Sequence, residues 1–174
     1  MKQRWQETMF VKNLVAALAF ISFGAGAAHA DAPVRMQQFD AWGAYSYKSG
    51  GSVSCYALST PIAQAPSNVD HGDNFLIVAH PSAGDNYVPE VAAGYDLKQG
   101  QTMTAMIGDK TYAMFTKDRH GWVQDENQQP AMVQAMKSGA KLELHATSKR
   151  GTATSYSYSL SGITGALKRI STCN

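Results

Sequence analysis

The sequence predicts an all-β domain, an antiparallel β-sandwich or barrel-like fold with two short helices, the second of them C-terminal. Three observations carry this reading. Short segments alternate apolar and polar residues, turn residues separate them at hairpin spacing, and only two stretches show a helical period.

The first thirty residues stand apart from that pattern. Lys2, Arg4 and Lys12 are basic, "LVAALAFISFGAGA" is apolar, and Ala28-His29-Ala30 has the A-x-A form read by a signal peptidase. The expectation is a signal peptide over residues 1–30, cut after Ala30 so that Asp31 leads a single β-rich domain over residues 31–174. The apolar stretch falls short of the ~20 residues that span a bilayer. No cysteine stands directly after the cleavage site and no twin-arginine pair precedes it. A periplasmic or secreted protein with no stable membrane anchor after cleavage is therefore expected. Met9 is an alternative start, since "MFVKNLVAALAF" alone makes a compact leader.

The 174-residue chain carries 15 Lys+Arg and 13 Asp+Glu. Three of those bases (Lys2, Arg4, Lys12) and one acid (Glu7) lie in the leader, so the remainder is formally balanced. Nucleic-acid binding needs a clustered basic excess. Only "LKRIS" and "SKRGT" offer adjacent basic pairs, and nucleic acid is not an expected partner.

The elements follow in order. "AWGAYSYK" places Tyr45 and Tyr47 on one face of a strand and Trp42 on the other. "SVSCYALST" is a β-branched and aromatic strand ending at Pro61, and Pro61 to Asp73 reads as a connecting loop. "NFLIVAH" is a continuous apolar run, expected as a central strand buried on both faces. "NYVPEVAAGYDL" is a strand broken by Pro89, hence edge-like or bulged. "TMTAMI" and "KTYAMFT" flank Gly108-Asp109, a two-residue connection with glycine first, as a type II′ turn requires. "HGWVQ" adds a short strand. "KLELHATS" and "TATSYSYSL" flank Lys149-Arg150-Gly151, a second hairpin, with Leu142, Leu144, Ala146, Tyr156, Tyr158 and Leu160 on its inner face. "PAMVQAMKSG" is a helix with Pro130 in its first turn and Gly139 as its C-cap. "SGITGALKRIS" is a helix capped by Ser161, with Ile163, Ala166, Leu167 and Ile170 on one stripe. Lys168 and Arg169 near its end suit the helix dipole.

Two cysteines in an exported chain have one intramolecular pairing, Cys55 to Cys173. The chain-entropy account values the closure of a loop of about 120 residues at about 4–5 kcal/mol. Such a bond pins a C-terminal segment that otherwise frays and leaves a monomer. The competing readings are an intermolecular disulfide and a reactive thiol. A redox site more often shows C-x-x-C or a cysteine at a helix N-terminus, so the structural clasp is expected.

No catalytic, cofactor or metal site is nominated. His71, Asp73 and His80 match no standard zinc spacing, and His71 and Asp73 fall in a polar turn. His145 reads as a solvated strand residue and His120, in "KDRHGW", as part of a turn. No G-x-S-x-G elbow occurs. Glu90, Glu126 and Glu143 suggest no carboxylate pair. Met103, Met106, Met114, Met132 and Met136 read as core filler.

Several segments together resemble the invasion-associated locus B family of exported bacterial proteins. They are Trp42, "CYALSTP" at 55–61, "IGDKTYAMF" around Gly108, "VQAMKSGAKLEL" and "YSLSGITGAL". The resemblance spans nearly all of residues 40–173. It implies an all-β fold, periplasmic or secreted residence and, for members from pathogens, an association with entry into host cells. It brings no catalytic residues. The chain departs from some members in holding no cysteine in "MFTKDRHGWV". The function expected is non-enzymatic binding or surface support, with an envelope or host-surface protein as partner. The alternative is a periplasmic hydrolase with an unrecognised site.

Overall fold

A computed structural model describes residues 32–49, 51–80 and 86–173. The leader and the cleavage residues Ala28, Ala30 and Asp31 lie outside the described residues. Among the described residues, eleven strands form one antiparallel sheet. They are β1 (Val34–Phe39), β2 (Trp42–Ser49), β3 (Ser52–Ser59), β4 (Ala63–Ala65), β5 (Phe75–His80) and β6 (Val88–Ala92). β7 (Met103–Ile107), β8 (Lys110–Lys117), β9 (His120–Val123), β10 (Lys141–Thr147) and β11 (Ala153–Ser159) follow. Helix α1 (Gln129–Ser138) joins β9 to β10, and α2 (Ile163–Ile170) follows β11.

The spatial order is β1-β2-β3-β5-β6-β9-β8-β7-β10-β11-β4. The sheet curls until its first strands meet its last. The indole Nε1 of Trp42 donates to the Ser159 carbonyl at 3.0 Å, and the Ala41 N–H donates to the Ser161 carbonyl at 3.3 Å. The barrel-like form of the expected fold is therefore the one adopted. Alternation places Trp42, Ala44, Cys55, Ala57, Leu76, Val78, Val91, Met103, Ala105, Met114, Leu142, Leu144, Tyr156 and Tyr158 inside, all buried.

Both hairpins form with the expected turns. Ile107 pairs with Lys110 across Gly108-Asp109, and Gly108 has φ +60° while Asp109 stays in the ordinary region, as a type II′ turn needs. Thr147 pairs with Ala153 across the second turn, where Gly151 supplies a φ of +90°. The stripe Ile163, Ala166, Leu167 and Ile170 on α2 is buried, packed on β1, β2 and β3. The chain then returns to the sheet, and Cys173 is bonded to Cys55 with Cα atoms 6.3 Å apart and a sequence separation of 118.

Five local expectations need correction. β5 is not buried on both faces: Leu76 and Val78 are buried, while Phe75 and Ile77 are half-buried on the outside. β6 is an interior strand despite Pro89, which pairs with Val78 of β5 but lies beyond the β9 ladder that starts at Glu90. The missing N–H therefore costs that ladder nothing. The Pro61–Asp73 loop contains β4, which caps the β11 edge. Ser161 does not cap α2. Gly162 does, at φ +92°, because its position abuts the Phe39 carbonyl where a Cβ has no room, and the Ser161 hydroxyl donates to Asp40 Oδ2 instead. Gly139 is the C-cap of α1, as expected, and takes an extended conformation. Its lack of a side chain matters because a Cβ there would stand 2.6 Å from Ile107 Cγ2. Of the five methionines, Met106 lies on the outer face and is half-buried.

Candidate functional site: a polar cleft and an aromatic outer face

Topology gathers four connections at one end of the sheet. β5 begins there, β6 ends there, and the β8–β9 and β10–β11 turns lie beside them. Between them opens a cleft of about 600 Å³, lined by residues of segments 68–72, 94–96 and 148–154 together with Arg119.

One wall is held by close backbone contact. Gly72, at φ +56°, lies against Gly94, so that a Cβ on Gly72 would stand 2.7 Å from the Gly94 carbonyl oxygen. The buried Asn74 amide ties the two loops together. Its Nδ2 donates to the carbonyls of His71 (2.8 Å) and Gly72 (3.2 Å), and its Oδ1 accepts the Gly94 N–H at 3.2 Å. Asp70 Oδ1 accepts the Gly72 N–H at 2.9 Å, the local turn that aspartate favours.

His71 is only 4% exposed, not in a solvated turn as its neighbours imply. Its Nε2 lies 2.9 Å from the Pro66 carbonyl. A carbonyl only accepts, so Nε2 carries the proton. In the neutral ring Nδ1 then accepts from the Tyr156 hydroxyl at 2.8 Å. Thr154 Oγ1 donates to the Ala146 carbonyl and so accepts from the Tyr95 hydroxyl, 2.6 Å away. Burial, and next the neighbouring Tyr95 hydroxyl, push the Tyr156 hydroxyl well above its ordinary value. Burial does the same to Tyr158, whose hydroxyl has no hydrogen-bond partner among the described residues.

The rim is charged. Arg119 Nε donates to Asp96 Oδ1 at 3.1 Å, and Lys149 Nζ lies 3.9 Å from Asp96 Oδ2. The Lys149 N–H also donates to the Asp96 carbonyl at 2.8 Å. Arg150 makes no ion pair among the described residues.

A second surface lies on the outside of the sheet. Gly43, Leu58, Ile77, Glu90, Trp122 and Phe115 form one cross-strand row through β2, β3, β5, β6, β9 and β8. Five strand spacings make it about 24 Å wide. The Tyr45 ring lies over Gly43, where a Cβ would come within 2.5 Å of it. Tyr45 stacks on Tyr56 (5.4 Å, 10°), and Tyr47 meets Tyr56 edge-on at 6.1 Å. At the other end Trp122 packs between Phe115 (5.5 Å) and His120 (5.6 Å). Phe115 is 46% exposed.

His120 opens β9 rather than belonging to a turn. Its Nδ1 sits 2.6 Å from Glu90 Oε1. His145 is exposed on β10, as expected. His71, Asp73 and His80 are not brought together. His71 belongs to the cleft wall, Asp73 is exposed, and His80 closes β5 against Tyr87 at 5.1 Å. Among the described residues no group of three or more His, Cys, Asp or Glu is placed to hold a metal ion. The cleft tyrosines and the rim cations had no signal in the sequence beyond strand alternation and a hairpin turn. Their partners are far apart in the chain.

Residues 42–171 match the family described as "Invasion associated locus B (IalB) protein". The chain belongs to this family. The match runs from β2 through α2 and takes in both the cleft and the aromatic face, while Cys173 lies just beyond it. Members of the IalB family are exported, and it is not a known enzyme family. No curated protein and no solved structure matches the chain. No helix among the described residues is long and apolar enough to cross a membrane.

Proposed function

We propose that this IalB-family protein is an exported, non-enzymatic binding protein of the bacterial envelope or its surroundings. In this reading residues 1–30 are removed and residues 31–174 act as one domain. The partner is an envelope or host-surface protein, and in a pathogen that partner links it to host-cell entry.

The observation that carries the proposal is the row from Gly43, covered by the Tyr45 ring, to Phe115. A stripe about 24 Å wide on the outside of a sheet exceeds what one small molecule covers. Its two ends are aromatic, Leu58 and Ile77 lie between them, and Glu90 is the one charged residue of the row, a make-up rich in the aromatic groups that protein interfaces favour. The cleft supports the non-enzymatic part, because the hydroxyl that its one histidine accepts from belongs to Tyr156, a buried tyrosine rather than an exposed nucleophile. Burial disfavours ionisation of that hydroxyl.

Site-specific photo-crosslinking in the producing cell tests this. A crosslinker at Phe115 is expected to capture one defined protein, and a crosslinker at His145 none. Phe115→Ser with Trp122→Ser should abolish the capture. Ester, peptide or glycoside turnover lost on substitution of a single Ser, His or Asp would establish the hydrolase reading instead.

A further inference from the structure

We propose that the cleft is a separate binding site for a small anionic ligand, one that presents a carboxylate or a phosphate group. Arg119, Lys149 and Arg150 line the cleft, while Asp70 and Asp96 are the lining acids. A single carboxylate, Asp96, serves two of the three cations. Arg119 reaches it through Nε alone, which leaves both terminal nitrogens of its guanidinium for another acceptor. Arg150 has its whole fork available. A planar fork is the geometry that binds carboxylate and phosphate oxygens in pairs. The excess of positive charge is local, since residues 31–174 are formally balanced.

The walls are built to hold these groups in place. Asn74 and the Gly72–Gly94 contact lock two loops together. The Lys149 N–H is fixed to the Asp96 carbonyl, and the Thr152 N–H is bonded to Ser148 Oγ at 3.1 Å. Thr152, Asn68 and Tyr95 add neutral polar groups around the charged rim. Preorganisation of this kind lowers the ordering cost of binding. A polar cleft of this volume lies within the range used for small ligands.

The test is a titration of the exported protein followed by amide shifts of Gly72, Gly94 and Thr152. The probes are inorganic phosphate, citrate and glucuronate, with glucose as the uncharged control. Saturable shifts with an anion and none with glucose are expected. Response to phosphate alone identifies a phosphoryl ligand, and response to citrate and glucuronate alone a carboxylate. Lys149→Gln with Arg150→Gln should weaken binding by about tenfold or more, while Lys48→Gln, remote on β2, should not. All three substitutions are on exposed side chains, so thermal midpoints should match the parent. The proposal is overturned if no anion saturates these amides, if glucose does so equally, or if the double variant binds unchanged. Crosslinking at Phe115 is unaffected by any of these outcomes, so the proposal and the aromatic-face reading fail separately.

Discussion

At the helical end of the sheet, α2 is held by four buried apolar side chains and one covalent bond. At the cleft end, the loops are held by an amide, an imidazole, two tyrosine hydroxyls and a pair of touching glycines. Apolar burial is non-directional and grows with area. Hydrogen bonds add less net free energy but fix angles and distances. The contrast teaches where each is useful. The helical end needs to stay attached, whereas the cleft end needs to keep a shape.

The largest expected effect breaks the helical end. Reduction, Cys55→Ser or Cys173→Ser should each lower stability by about 2–5 kcal/mol. The double substitution should cost about as much as either single one, because both remove the same bond. Denaturant midpoints with and without reductant measure this. Free thiol in the native protein, or a disulfide-linked dimer, contradicts the clasp.

A smaller effect is expected at the cleft end. Tyr156→Phe leaves the buried Nδ1 of His71 without its donor, a cost of about 1–3 kcal/mol. Because the neutral hydroxyls of Tyr156 and Tyr158 are favoured by the fold, their stabilisation is intact below the ordinary tyrosine value of 10.0. It is lost as the pH rises past that value toward the raised ones. Ultraviolet titration should therefore show a set of tyrosines that ionise only as the protein unfolds in alkali. Smooth ionisation of all eight tyrosines in the folded state would place both hydroxyls in water.

The smallest effect lies on the outer surface, at neither end. Glu143 accepts from Lys141 at 2.7 Å and from Ser157 at 2.6 Å, and those bonds lower its carboxyl below the ordinary value of 4.5. The stabilisation is present above that value and lost as the pH falls through the lowered one. Glu143→Gln should cost no more than about 1 kcal/mol at neutral pH. In acid the midpoints of parent and variant should converge.

The parts of this fold legible in the sequence are those fixed by neighbours. The two hairpins declare themselves through Gly108 and Gly151, and α2 through its apolar stripe. β4 does not, because all three of its residues are exposed and Ala-Gln-Ala carries no alternation. β1 is obscured by a register shift between Arg35 and Gln37 and by an edge position with little burial. His71 sits among Asp70, Gly72 and Asp73, so its burial depends on Tyr156, 85 residues away. The disulfide was legible because two cysteines admit one internal pairing. The cleft was not, because four connections build it.

The meeting of Trp42 with Ser159, and of Ala41 with Ser161, has a consequence for manufacture. A ribosome delivers the chain from one end, so the earliest strands wait for partners synthesised last. Until β11 and α2 arrive, the indole of Trp42 has no acceptor and the apolar faces of β2 and β3 stand uncovered. A truncated product is thus left with an open core, the kind of surface that chaperones hold and proteases cut. Possession of β11 and α2 is in this way a condition of the domain's survival, inspected by chemistry at the seam where β2 meets β11.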